Sequence, residues 1–135
     1  FKAIYDAISA TVAGVESIDP DQVIDTWRGI AAAIPEWQAQ TIQTRNSKLL
    51  RLDYLCFNAV GIVALGKVAH GLLGQEDITT ALERLSSVNW RRDHGQWRRV
   101  CVFEGKVKKS AQTVEATAAV IRELMEPAKT TAMTV

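Results

Sequence analysis

The chain has 135 residues, 47% hydrophobic and 23% charged, with sixteen basic against fifteen acidic residues and a formal net charge of +1. That is the size of one ordinary domain and the composition of a folded one, which excludes disordered and fibrous classes and removes the need for disulfides or a metal to hold a core. The near-neutral total hides an uneven spread: seven basic residues stand against two acids between Arg91 and Lys109, leaving nine basic and thirteen acidic residues elsewhere.

In chain order, Phe1, Ile4, Tyr5, Ile8 and Val12 fall at the spacing of one helical face, and Gly14 is placed to end that helix. The chain opens on Phe1, so a piece of a longer protein, or a chain that has lost its first residues, is expected. Asp19 and Pro20 read as the N-cap and first position of a second helix, which runs through Val23, Ile24, Trp27 and Ile30 to about Ile34, where Pro35 stops it or starts another turn. From Glu36 to Asn46 the chain is polar and gives no preference between a short helix and a loop.

Residues 47 to 73 are densely apolar, nearly all round in their second half, and predict one long buried central helix. Gly61 and Gly66 inside it each cost roughly 1 kcal/mol of helix propensity relative to Ala, which close approach of a neighbouring helix would repay. His70 reads as a packed core or cap residue. Gly74 ends this helix, and Asp77 caps a short one through Ile78, Leu82 and Leu85. A final helix runs from an N-cap at Ser110 through Val114, Ala118, Ile121 and Met125 to near Pro127.

The stretch between these last two helices, Trp90 to Ser110, is the focus. Gln96 to Phe103 reads as a helix closed by Gly105, or Val100 to Val107 as a short hairpin turning at Glu104-Gly105; the helical surroundings favour the helix. With the helix, residues 96 to 120 have the length of a helix-turn-helix, whose last helix offers only Gln112, Thr113, Glu115 and Thr117 to a base edge. The overall expectation is an all-α class: one compact helical bundle over residues 1–126 around the central helix, with residues 127–135 a frayed tail.

Arg91, Arg92, Arg98, Arg99, Lys106, Lys108 and Lys109 are the candidate nucleic-acid-binding residues, because arginine and lysine neutralise phosphates and release counterions. Trp90 and Trp97, interleaved with them, are either base-stacking platforms or core. The arginines have a bland reading too: Arg98 and Arg99 pair with Asp21 or Asp25 of the second helix, and the charge dipole is a packing device. Duplex DNA, held mainly by its backbone, is the expected partner, with a homo-oligomer as a further possibility.

No catalytic residue is assigned and the chain is expected not to be an enzyme. His94 beside Asp93 lacks a nucleophile placed by sequence, and the scattered acids Glu36, Glu76, Asp77, Glu123 and Glu126 form no metal-ligand spacing, so neither metal nor cofactor is expected. No phosphate-binding glycine loop occurs. Cys56 and Cys101 sit in apolar surroundings without CxxC spacing, which fits buried thiols in a reducing cytoplasm. The most apolar run, Ala59 to Leu73, is interrupted by glycines, Lys67 and His70, and the start has no signal-peptide pattern; no membrane association is expected.

Four stretches resemble the C-terminal region of the DndB-like DNA sulfur modification proteins, which carry a DGQHR-type domain further upstream. They are Asn58-Ala59-Val60-Gly61, similar to that family's Ala-x-Gly helix; Val88-Asn89-Trp90-Arg91-Arg92, similar to its I-D-W-x-R; Trp97 at its second tryptophan; and Glu104 to Ser110, similar to its G-G-R-V-S-K-S. Order and spacing agree over about residues 45 to 125. Lys106 stands where the family has Arg, Lys108 where it has Ser, and the upstream region is not in this chain. The resemblance implies part of a larger protein of the DNA phosphorothioation system, whose members look like DNA-binding regulators of that system's genes. The alternative is a protein-interaction or dimerisation module of such a protein, in which the glycine-bearing central helix and the tryptophan-rich stretch pack against the upstream domain or a second copy.

Overall fold

The computed structural model describes residues 2–38, 47–75 and 77–126. Phe1, most of the polar stretch before Ser47, and the expected tail at 127–135 lie outside the described residues. The fold is helical, with six α-helices, three single 3-10 turns and one two-stranded hairpin among them. α1 is Lys2–Thr11 and α2 is Pro20–Ala33, begun as the sequence predicts: the Asp19 carboxylate accepts from the Asp21 amide at 3.0 Å with Pro20 at the first position. A 3-10 turn, Pro35–Trp37, follows.

The predicted central helix is two helices. α3, Ser47–Asp53, and α4, Ala59–Leu72, are separated by the extended residue Tyr54 and a 3-10 turn, Leu55–Phe57. The break has a long-range cause. Tyr54 forms an isolated antiparallel bridge with Arg91, the Leu55 amide donates to the Trp90 carbonyl at 2.7 Å, and the Arg92 amide donates to the Asp53 carbonyl at 2.9 Å. Those amide and carbonyl groups are taken by the distant strand segment, so the i to i−4 ladder cannot run through. Asn58 secures the joint from its side chain, donating to the carbonyls of Arg51 at 2.9 Å and Tyr54 at 3.0 Å.

α4 is the centre of the core. Val60, Ala64, Leu65 and Ala69 are fully buried, and the helix packs against α1 on one side and α6, Ala111–Met125, on the other. The glycines explain how. A Cβ on Gly66 would run into the backbone of Ala7, with the Ala7 Cα only 2.7 Å away, so the two helix backbones touch and only Ala7 and Thr11 fit between them. The Thr11 hydroxyl sits in that contact, 2.8 Å from the Ala7 carbonyl and 3.3 Å from the Gly66 carbonyl, and receives the Trp27 indole N–H at 3.1 Å. Gly61 abuts the Leu55 carbonyl of its own preceding turn, not another helix.

This contact overturns the predicted face of the first helix. Ile4, Tyr5 and Ile8 are 59%, 72% and 41% exposed, because the core side of α1 is its small-residue side. His70 is not a core residue either: it is exposed, and its Nδ1 lies 3.0 Å from the Thr11 carbonyl at the end of α1, the cap half of the expectation.

α5, Thr79–Leu85, starts at a Thr79 amide accepted by the Asp77 carboxylate at 2.9 Å, and packs on α6 and α2. The helix expected over Gln96 to Phe103 is absent, and with it the helix-turn-helix. A 3-10 turn, Gly95–Trp97, leads instead into a hairpin of β1, Val102–Phe103, and β2, Lys106–Val107, in which Val102 pairs with Val107 and Phe103 with Lys106. Glu104 and Gly105 both have positive φ, 53° and 77°, the backbone that matches the twist of a two-residue hairpin loop and that no right-handed helix admits. Arg99 also has a positive φ of 62°, ending any helical path from Trp97. α6 then begins on the expected cap: the Ser110 hydroxyl accepts from the Thr113 amide at 3.1 Å, and the Thr113 hydroxyl accepts from the Ser110 amide at 2.8 Å.

Candidate nucleic-acid interface

The basic segment is built on a buried aromatic pair. Trp90 and Trp97 are 1% and 0% exposed and stack with ring centroids 5.7 Å apart. The Trp97 indole N–H donates to the Asn89 carbonyl at 3.0 Å. Neither ring is open to a base, so the stacking-platform reading of the two tryptophans is excluded, and their part is to fix the shape of the loop between them. Trp27 and Trp37 are half-buried against the core, and the Trp37 indole N–H donates to the Cys56 carbonyl at 3.0 Å.

The charged side chains point the other way. Arg91, Arg98, Arg99, Lys106, Lys108 and Lys109 are exposed and Arg92 is half-buried. Their engagements differ. Arg91 pairs with Asp93 at 3.3 Å and lies over the Tyr54 ring at 5.8 Å. That hydrogen bond and charge hold the Asp93 carboxyl below its usual range and the guanidinium above its own. Arg92 donates to the Gly105 carbonyl at 2.7 Å, tying the hairpin turn to the loop before it. Lys109 reaches Asp6 of α1 at 3.3 Å, where Lys2 also binds. Lys108 sits 5.4 Å from the centre of the Phe103 ring, and its amide donates to the carbonyl of buried Cys101 at 2.8 Å. No ion pair among the described residues joins Arg98 or Arg99 to Asp21 or Asp25; Asp25 pairs with Arg28 at 4.0 Å.

Three of the arginines share one cavity. A volume of about 550 Å³ is lined by Arg91, Arg92 and Arg98 together with Asp53, Asp93 and Glu104, with Leu52, Val102 and Gly105 completing the wall. Sequence spacing alone did not place Asp53 or Leu52 there; they arrive through the Tyr54–Arg91 bridge. Lys106, Lys108 and Lys109 lie outside it, on and after the hairpin.

Of the four positions on the last helix expected to reach a base, Thr113 and Thr117 are buried, their hydroxyls spent on the cap and on the Thr113 carbonyl at 2.7 Å. Gln112 and Glu115 remain exposed, but Glu115 is held by Lys67 at 3.0 Å and Arg122 at 3.7 Å. His94 is exposed and its Nδ1 accepts from the Gln96 amide at 3.2 Å, a local turn contact. Cys56 and Cys101 are buried free thiols whose ionisation burial pushes up. Glu36, expected on the surface, is half-buried with one carboxylate oxygen enclosed, and lies close enough to Cys56 to add to that upward push. Among the described residues no group of three or more His, Cys, Asp or Glu could hold a metal ion, and no helix is long and apolar enough to cross a membrane.

No curated protein and no solved structure is significantly similar to the chain. A family match, by contrast, covers nearly all of it and extends the resemblance of the C-terminal stretches back through α1 and α2. The family model described as DndB, DNA-sulfur modification-associated, matches residues 1–127, and the chain therefore belongs to that family.

Proposed function

We propose that this chain is a non-enzymatic, DNA-binding regulatory domain of the DNA sulfur modification system, contacting the phosphate backbone of duplex DNA through the segment from Arg91 to Lys109. The observation that carries the reading is the sorting of that segment and the residue before it: Trp90 and Trp97 are buried while six of the seven basic side chains are exposed. Lys106 sits on a hairpin tied back by the Arg92–Gly105 hydrogen bond, and Arg98, Arg99, Lys106 and Lys108 have no ion pair among the described residues. Charges held out from a fixed scaffold, with few exposed polar groups on the adjacent helix, suit backbone binding better than base reading. The non-enzymatic part rests on His94, whose Nδ1 serves a local turn, and on thiols whose burial keeps them protonated and inert. The same thiols suit a cytoplasmic setting.

The test is a duplex-binding series over a range of salt concentrations for the wild type and for a triple substitution, Arg99→Glu, Lys106→Glu and Lys108→Glu. The expected result is weaker binding and a flatter dependence of log affinity on log salt, by roughly two to three units of slope for three lost contacts. Unchanged affinity and slope would overturn the reading.

A second reading, a protein-interaction module, is favoured by a different surface from the one the sequence suggests. Gly66 is covered by α1 and both indoles are buried. The open apolar surface is on α1, where Ile4 and Ile8 border a groove of about 400 Å³ lined also by Trp27, Trp37 and Phe57. An upstream domain of the same protein or a second copy are the partners it would take. Sedimentation of the wild type and an Ile4→Asp, Ile8→Asp variant tests it, and a wild-type monomer that does not bind its own upstream half counts against it.

A further inference from the structure

The arginine-lined cavity is unsuited to the continuous backbone that the rest of the segment would contact. Its three guanidiniums are matched by three carboxylates, so a run of phosphates entering it would meet as much repulsion as attraction. Arg91 is already paired to Asp93 and Arg92 is committed to the Gly105 carbonyl. Two opposite charges in the lining have no ion-pair partner among the described residues, Arg98 and Glu104. They are held on the two ends of one short piece of backbone, since Arg98 bridges to Val102, which opens the strand leading to Glu104.

A ligand for this lining has one anionic group, hydrogen-bond donors at some distance from it, and an apolar body between. The guanidinium fork matches a phosphate bidentately. A carboxylate accepts from an exocyclic amino group, as acidic side chains do from cytosine. Leu52, 53% exposed, and Val102 offer the apolar contact for a ring or sugar face. The cavity volume of about 550 Å³ falls in the range that small-molecule sites occupy. We infer that this cavity holds one nucleotide unit, its phosphate on the Arg98 guanidinium and the amino-bearing edge of its base on the Glu104 carboxylate. The inference rests on the DNA-contacting reading for its choice of a nucleotide over other small dipolar anions. Its source is either a free mononucleotide or a nucleotide turned out of a DNA duplex.

Titration calorimetry of the whole chain with dCMP, dGMP and TMP, and duplex binding with one bulged cytosine or one bulged thymine, separate these cases. In the first, dCMP and dGMP bind about tenfold tighter than TMP, Glu104→Gln erases the difference, and Arg98→Gln abolishes binding of all three. In the second, mononucleotides do not bind, but the bulged-cytosine duplex binds about tenfold tighter than the bulged-thymine duplex, a preference that Glu104→Gln removes. No preference for the amino-bearing base in either format, or one that survives Glu104→Gln, overturns the inference. Fully paired duplex keeps the two readings apart: the triple Arg99, Lys106 and Lys108 substitution weakens it if the backbone reading is right, whereas the preference for the amino-bearing base stays in place in that variant.

Discussion

The indoles of Trp90 and Trp97 lie stacked in the core, with planes inclined by only 14°, yet they differ at the ring nitrogen. Trp97 donates to the Asn89 carbonyl, while the buried Trp90 N–H meets no acceptor among the described residues. Replacing either by Ala should cost about 3–5 kcal/mol. Replacement by Phe separates them: Trp97→Phe loses a hydrogen bond and should cost about 1 kcal/mol more than Trp90→Phe in urea unfolding. Equal costs, or the reverse order, would show that the Trp97 bond contributes nothing.

The glycines of α4 make a sharper pair. Gly66→Ala forces a methyl into the Ala7 backbone and should destabilise by about 1–3 kcal/mol or more as α1 is pushed away. Gly71, in the last turn of the same helix, has nothing within 4 Å of the added carbon, and Gly71→Ala should stabilise by roughly 0.5–1 kcal/mol. Thermal unfolding of the two variants should therefore move in opposite directions, and a common direction would contradict the α1–α4 contact.

At the hairpin, Gly105→Ala places a side chain on a left-handed residue and should cost about 1–2 kcal/mol. Arg92→Met removes the tether to the Gly105 carbonyl without changing any backbone angle. Faster amide exchange is expected at Lys106 and Lys108 in that variant, with α4 unaffected. Unaltered exchange at the hairpin would mean that strand pairing alone holds it.

Acid should weaken the fold through identifiable carboxylates. Lys67, by hydrogen bond and charge, holds Glu115 below its ordinary range, with Arg122 adding to the effect. Desolvation raises Asp6, but the hydrogen bonds and charges of Lys2 and Lys109 outweigh it and leave it low. A carboxyl with a depressed folded value contributes stability that is full above its unfolded value, about 4, and is lost as pH falls through the folded one. The urea midpoint should thus fall as the pH drops below about 4. In Glu115→Gln the fall should be shallower, and an identical profile would remove Glu115 from the account.

Much of the framework was legible because its signals are local. Asp19 with Pro20 and Ser110 act as caps through contacts within three residues, Asp77 stands one residue ahead of the cap position Ile78 and accepts from the Thr79 amide, and Gly105 marks a turn wherever the chain goes. What sequence periodicity misjudged depends on distant backbone. No glycine or proline separates α3 from α4; the helix is interrupted because Arg91 and Trp90 pair across it. Ile4 and Ile8 have the spacing of a core face, but the backbone contact at Gly66 reserves that position for Ala7. The hairpin over 102–107 was one of two readings of β-branched residues, decided by positive φ at Arg99 and Glu104, residue types that give no warning of it. The seven basic residues were visible as a cluster, whereas Asp53, which neutralises part of it, joins only in three dimensions.

The pairing at Tyr54 also supplies a clock. The Leu55 amide is given to the Trp90 carbonyl, so it can exchange with solvent only when the arginine-bearing loop lifts from the joint between α3 and α4. The Arg92 amide, bound in the other direction to Asp53, must be released in the same event. Two protons on opposite sides of one seam, exchanging together and more slowly than the exposed hairpin beside them, would time the detachment of the entire basic segment from the body that carries it.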